Sequence, residues 1–374
     1  MLSLTFVSDK VNTHVLPLLK AFLSHPEVAF TFISCADSAA EEEKKVVLTS
    51  EEKGHCLSYS QNPQKAQEII DHSDVLILGM ADPKLLQKAA LSGKTLFHYS
   101  EHFSKNKSLM PLRYWHNHTL FHTLSDHGAY LLATSSFASE DFAKAKLYQG
   151  RALYWGYFPE GNRSLDLSTK NVQKGAPLKS LYSGRLLRWK HPEMALSAAE
   201  TLFEAKIPFE VRIIGAGEMT EPLKTALKDK PYQNNVELLG YQPNDVVLKE
   251  MKDSDIFLFT SDRGEGWGAV LNEAMSSSCA VLASSLAGAT GFLVQDEKNG
   301  LAYNDHVSFE KQLLRLARDP DLLNRLAHEA EKTITDTWNA QVAVDHLLSI
   351  IPFIQTKKEI PASLIAKGPG TLIR

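Results

Sequence analysis

Short apolar runs alternate with longer amphipathic stretches along most of this chain, and few folds accommodate that alternation. A brief run rich in Val, Ile, Leu and Phe reads as a buried strand, and the periodic stretch after it reads as a covering helix. Repetition of the pair predicts a parallel sheet with helices on both faces, that is, an α/β chain. Strands are expected at Leu2–Val7, Val28–Ser34, Asp74–Gly79, Thr95–Ser100 and Tyr130–Thr134. Helices are expected between them at Val11–Leu23, Gln64–Asp71, Pro83–Ala90 and Ser139–Leu147. The scheme recurs at Ser180–Gly184, Phe209–Ile214, Val236–Leu239, Asp255–Thr260 and Ala280–Ala283, with helices at Pro192–Ala205, Met219–Lys228, Asp245–Lys252 and Ala269–Ser276. Beyond about residue 305 the pattern is helical only, at Phe309–Arg318, Pro320–Thr333 and Asn339–Ile350.

The 374 residues suffice for two domains of ordinary size. Between the two series, Pro159–Pro177 loses all periodicity and carries Gly161, Asn162, Ser164, Asp166, Ser168 and Gly175, the composition of a linker. The expected organisation is two doubly wound Rossmann-like domains facing across a cleft. These are an amino-terminal domain at 1–160, a linker at 161–177 and a second domain at 178–338. A helix at 339–356 crosses back to the first domain, and a tail at 357–374 is loosely ordered. In such sheets ligands bind outside the carboxyl ends of the strands, so the residues just after each strand are the ones to weigh.

Charge and cysteine content exclude several classes. Forty Lys and Arg against forty-four Asp and Glu leave a net charge of -4, which does not suit a general nucleic-acid binder. Three separated cysteines, Cys35, Cys56 and Cys279, cannot build a disulfide scaffold and suit a reducing cytoplasm. MLSLTFVSDK lacks the basic start of a signal peptide, and no apolar run approaches the length of a membrane span. Peripheral contact at the inner face of a membrane stays open, because a basic patch can be assembled in the fold.

The strand ends differ in what they offer. Gly215-Ala216-Gly217 follows a strand and could open an anion-binding turn, but Thr220 stands where the dinucleotide fingerprint needs its third glycine. Arg185, Arg188 and Lys190 crowd the loop before Pro192, and a guanidinium with an ammonium suits a diphosphate. The run from Ser261 to Met275 holds Gly264, Gly266 and Gly268, then Glu273 on a helix with Glu265 eight residues earlier in the loop. Six histidines fall at 98, 102, 116, 118, 122 and 127. His118 and His122 could share a helix face, yet no H-E-x-x-H or neighbouring cysteine supports zinc.

These residues carry a resemblance. Gly184-Arg185-Leu186 with Lys190, Glu265-x7-Glu273, Phe292-Leu293-Val294 and Asn299-Gly300-Leu301 follow one another as in bacterial family 4 glycosyltransferases of the GT-B fold, which build surface polysaccharides. The match is densest from Leu178 to Ala302, and the helix after Trp338 resembles the one that crosses back to the first domain. The resemblance implies a retaining hexosyltransferase that uses a nucleoside-diphosphate sugar and needs no metal or other cofactor. Its acceptor would be a glycan, a lipid-linked group or another hydroxyl. Arg185 and Lys190 would hold the diphosphate, Glu273 the ribose hydroxyls and Glu265 the donor sugar, with Gly215, Gly266, Trp267 and Gly268 lining the donor. His102 would reach the sugar from the first domain. The first loop, Ser8 to His14, lacks the glycines of many relatives and leaves Asn12 and His14 as acceptor-side contacts. A nucleotide-sugar epimerase of the same fold is the nearest alternative, and a non-catalytic two-domain sugar-binding protein is the rival from another class.

Overall fold

The structure, a computed structural model, describes residues 1–35, 46–79, 82–105, 109–160, 172–173, 175–361, 364 and 368–373. Most of the expected linker, at 161–171 and 174, lies outside the described residues, as do 362–363, 365–367 and 374 of the tail. The chain divides into two compact units, Met1–Glu160 with Trp338–Arg374 and Gly161–Thr337.

Unit 1 runs β1 (Leu2–Ser8), α1 (Leu16–Ser24), β2 (Val28–Ser34), α2 (Ser50–Gly54), β3 (Cys56–Ser58), α3 (Pro63–His72) and β4 (Val75–Leu78). It continues with α4 (Pro83–Ala90), β5 (Thr95–Ser100), α5 (Met110–Asp126), β6 (Tyr130–Ala133), α6 (Ala138–Lys144) and β7 (Ala152–Tyr154). The strands form a parallel sheet in the order β3-β2-β1-β4-β5-β6-β7, with Leu4 opposite both Phe30 and Val75. Consecutive residues of β4 are all buried, as a strand covered on both faces requires. Prolines at the starts of α1, α3, α4 and α5 sit where the helix needs no N–H bond, and Asp82 caps α4 by accepting from Lys84 N and Leu85 N.

Unit 2 runs β8 (Leu178–Ser183), α7 (Glu193–Glu204), β9 (Phe209–Ile214), α8 (Thr220–Leu227), β10 (Val236–Gly240), α9 (Asn244–Asp253) and β11 (Ile256–Phe259). Then come α10 (Val270–Ser276), β12 (Ala280–Ser284), α11 (Thr290–Leu293), β13 (Leu301–Tyr303), α12 (His306–Arg318) and α13 (Pro320–Asp336). Its sheet is parallel in the order β10-β9-β8-β11-β12-β13. Strand order therefore reverses between β8 and β11, which pair through Ile256 opposite Ser180. At such a reversal ligands bind outside the carboxyl ends of the two strands.

The last helix, α14 (Ala340–Gln355), belongs to unit 1 and packs on α1. The far end of the tail is not loose. Gly370 N donates to Tyr154 O at 2.7 Å, Tyr154 N to Thr371 O at 2.8 Å and Ile373 N to Ala152 O at 2.8 Å, so residues 370–373 line the edge of β7 antiparallel to it. The physical reason is the exposed row of backbone groups that any edge strand presents. Truncation before Gly368 removes these three bonds. At roughly 1 kcal/mol net each, denaturant unfolding should show a loss of about 3 kcal/mol. An unchanged midpoint would mean that the tail only rests on the strand.

Candidate functional site

The loops that leave β8 and β11 lie on either side of the reversal in unit 2, and they are fastened to each other. Asp262 N donates to Trp189 O at 2.9 Å, and Thr260 Oγ1 donates to Lys190 O at 2.6 Å. Lys190 Nζ forms an ion pair with Glu265 Oε2, which also accepts from Ser261 Oγ at 3.1 Å. Both charged side chains are nearly buried, at 13% and 11% exposure, so they meet where water screens them little. Lys190 also lies 4.6 Å from the centre of the Trp189 ring. His191 joins the same junction, with Nδ1 donating to Glu193 at 2.8 Å and Nε2 lying 3.4 Å from Asp262. The Glu193 hydrogen bond holds this imidazole above its ordinary pKa against the opposing effect of burial. Arg185 is exposed, and its guanidinium makes no ion pair among the described residues.

The glycines explain how the loops come so close. Gly215 has φ +140°, and a Cβ there would lie 1.8 Å from Gly184 O. At Gly217 a Cβ would lie 2.4 Å from Leu186 O. The backbone bonds Leu186 N to Ala216 O, at 3.0 Å, and Met219 N to Leu186 O, at 2.9 Å, need that approach. Gly215 was expected to line the donor, and what its missing Cβ admits here is the loop carrying Arg185. Trp267, expected to line the donor, lies in the core. Its indole is wholly buried, donates to Asn272 Oδ1 at 2.8 Å and packs edge-on against Phe292, so it anchors the loop from within. Gly266 is buried beside it. Gly268, at φ +92°, has the Phe259 ring 2.4 Å from where a Cβ would stand. Glu273 is half-buried in the first turn of α10, where a carboxylate suits the positive end of the helix.

Unit 1 assigns structural work to several expected ligand contacts. Asn12 Oδ1 accepts from His14 N at 2.9 Å and Val15 N at 3.0 Å, turning the chain into α1. His14 stacks flat on Tyr157 at 4.9 Å, and Tyr157 donates to Glu101 at 2.6 Å. His102 is 2% exposed, bonded through Nδ1 to Ser135 Oγ at 2.7 Å and set edge-on to Phe137, so it braces the loop after β5 rather than facing solvent. Burial pushes the pKa of His98 down to about 3, and its ring bonds to Tyr148. His118 donates to Ala145 O and His122 to Thr119 O. A cavity of about 770 Å³ opens at the carboxyl ends of the strands, lined among others by Asp9, Cys35, Tyr59, Gly79, Asp82 and Ser100. Burial, then Asp9 and Asp82, push the Cys35 thiol pKa up. Sequence reasoning missed Asp9 and Asp82, although both follow strands and the rule about strand ends points at them. It also missed Ser261 and His191, whose roles depend on the meeting of two distant loops.

Residues 166–333 match the family described as glycosyl transferases group 1. WcaL of Escherichia coli (strain K12), named for colanic acid biosynthesis glycosyltransfer, is 28% identical over 183 residues, covering 47% of this chain and 45% of the relative. The amylovoran biosynthesis glycosyltransferase AmsK of Erwinia amylovora is 28% identical over 181 residues, covering 47% and 44%. The chain thus spans less than half the length of these relatives. Among solved structures, HepE of Anabaena in complex with UDP superposes with a TM-score of 0.64 at 15% identity, over 93% of this chain and all of that one. A glycosyltransferase of Rickettsia africae does so with a TM-score of 0.64 at 13% identity, over 94% and 98%. Among the described residues no helix is long and apolar enough to cross a membrane. The two parallel sheets and these structural matches give the chain a GT-B fold, and its residues 166–333 are similar to the group 1 glycosyl transferases.

Proposed function

We propose that the protein moves a sugar from a nucleoside-diphosphate sugar to a hydroxyl acceptor in glycan or surface-polysaccharide synthesis, keeping the donor's anomeric configuration. The observation that carries this reading is the Lys190–Glu265 pair at the strand reversal of unit 2, with exposed Arg185 on the same loop as Lys190. A phosphate-type cation and a sugar-type carboxylate are thereby held in one rigid junction. The names of WcaL and AmsK support polysaccharide synthesis, and HepE's complex with UDP supports a nucleotide donor.

In this reading Arg185 grips the diphosphate bidentately, Lys190 adds a point charge and Glu273 accepts the ribose hydroxyls. The acceptor is assigned to unit 1, whose cavity offers the carboxylates of Asp9 and Asp82 to hydroxyl donors. As the bond from the anomeric carbon to the phosphate oxygen breaks, negative charge grows on the diphosphate and positive charge on the sugar ring. Arg185 and Lys190 stabilise the first, and Glu265 stabilises the second. The acceptor oxygen bonds to the carbon on the face the diphosphate leaves, and its proton passes to the departing phosphate oxygen. The two cations supply the charge that a metal ion would otherwise provide. His102 contributes by fixing the β5 loop.

These roles lead to five measurable outcomes. Glu273→Gln should weaken binding of the free nucleoside diphosphate by about 1.5–3 kcal/mol in calorimetry, as loss of a charged acceptor does. Unchanged affinity would remove Glu273 from the donor site. Arg185→Ala should lower kcat by roughly 10²–10³ while leaving the melting temperature in place, since the side chain is exposed. Activity of the parent should persist in excess chelator, and rescue by a divalent ion would overturn the metal-free reading. Proton NMR of fresh product should show the donor's own anomer joined to the acceptor, which separates transfer from epimerisation. Glu265→Gln should slow the reaction with no glycosylated protein in the mass spectrum. An inverted product or a sugar adduct on Glu265 would replace this mechanism.

A further inference from the structure

Two consecutive side chains of the β8 loop carry charge to the β11 loop, and one of them titrates near neutral pH. Lys190 pairs with Glu265, and the next residue, His191, lies between two carboxylates. Its Nδ1 is 2.8 Å from Glu193 Oε1, in the first turn of α7. Its Nε2 is 3.4 Å from Asp262 Oδ2, on the β11 loop. A neutral imidazole has a single N–H, so one of these carboxylates would face a bare nitrogen lone pair. The imidazolium has two, and it alone suits both partners.

The backbone at this residue points the same way. His191 has φ +47° and ψ +53°, the left-handed region that glycine enters without strain and histidine does not. Glycine would fit the turn more easily, and it would leave Glu193 and Asp262 without a shared partner. Asp262 in turn shapes the loop that presents Glu265. Its Oδ1 accepts from Gly264 N at 2.6 Å, and its backbone O accepts from Glu265 N at 3.1 Å. A pull on Asp262 therefore reaches Glu265, while Lys190 is joined to His191 through the chain. The other charges nearby are Arg263, next to Asp262 on the β11 loop, and Arg188, which lies 4.0 Å from Glu218. Tyr182 of β8 and Tyr303 of β13 lie near Glu193, with phenols that burial keeps protonated. The bond to Glu193 raises the pKa of the imidazole above the ordinary 6.5 against the effect of burial, and Asp262 adds to the rise.

We propose that His191 is a positioning residue for the donor site: its imidazolium draws Glu193 and Asp262 together and so sets the Lys190–Glu265 pair, which loosens when the ring loses its proton. The role rests on the reading of that pair as donor-binding. The clamp is complete while the ring is protonated, hence below pH 6.5, and it is lost as pH rises through the raised pKa. Two measurements on the intact protein test it. In proton NMR the His191 ring signal, identified by its absence from His191→Asn, should titrate above 6.5. It should move down in Asp262→Asn, which keeps an oxygen for Gly264 N and loses the charge. Asparagine at 191 tolerates the left-handed backbone and carries no charge. In calorimetry UDP should bind the parent about fivefold more tightly than His191→Asn below the NMR midpoint, the size of a partly exposed ion pair. The ratio of the two affinities, from which the titration of UDP itself cancels, should fall to one as pH rises through that midpoint. A ratio that does not change with pH would overturn the positioning role. So would a ring that titrates at or below its ordinary value, or one unmoved by Asp262→Asn. Failure of UDP to bind either protein at any pH would overturn the donor-site reading and with it the positioning role, while the NMR titration would still report the clamp.

Discussion

The close approach of two loops at the β8–β11 reversal is the constraint on which the proposed chemistry of unit 2 rests. A parallel sheet delivers every strand's carboxyl end to one edge, and reversal of strand order sets the loops after β8 and β11 side by side there. Gly215 and Gly217 let the turn after β9 press against Gly184 and Leu186, so the loop bearing Arg185 and Lys190 is supported from below by backbone. Thr260 and Asp262 then tie that loop to the next one. Trp267, sealed in the core, anchors the far side. Preorganisation of this kind keeps charged groups from reorienting when charge develops on a substrate.

The Lys190–Glu265 pair shows both the gain and the cost of that arrangement. Withdrawing two charges from water is unfavourable, and only good geometry and further hydrogen bonds offset it, here from Ser261 to Glu265. Each partner holds the other in place, so the two roles assigned to them are coupled. Unit 1 uses the same architecture differently. Its half-buried Asn12 and buried His98 and His102 hold loops and helices together, and Asp9 and Asp82 line the cavity at the strand ends.

The alternation of strand and helix in both units was legible because it follows from burial on a local period. Four consecutive buried residues in β4, or the stripe of α13, follow from sequence spacing alone. Several elements that escaped have stability that is not local. β3, β7 and β13 are three residues long and exist as strands only because a neighbouring strand offers its backbone. α5 has no clean apolar stripe, since its outward face bears Leu112 and Trp115 as well as His116. The tail reads as Gly- and Pro-rich coil, and the open edge of β7 makes part of it a strand partner.

The sequence by itself determined the parallel α/β class and the presence of cations after β8 with carboxylates around α10, because strand periodicity, glycine spacing and residue chemistry are local properties. It could not decide which of these groups touch. Lys190 and Glu265 are 75 residues apart and meet only because β8 and β11 are neighbours in the sheet. Gly215 reads equally as a ligand-binding or a packing glycine until Gly184 is seen against it. Trp267 and His102 sit in motifs that suggest contact with a ligand, and only the fold shows that both side chains are packed into the scaffold. Pairing across a sheet and burial depend on residues far away in the chain, so tertiary structure alone decided them.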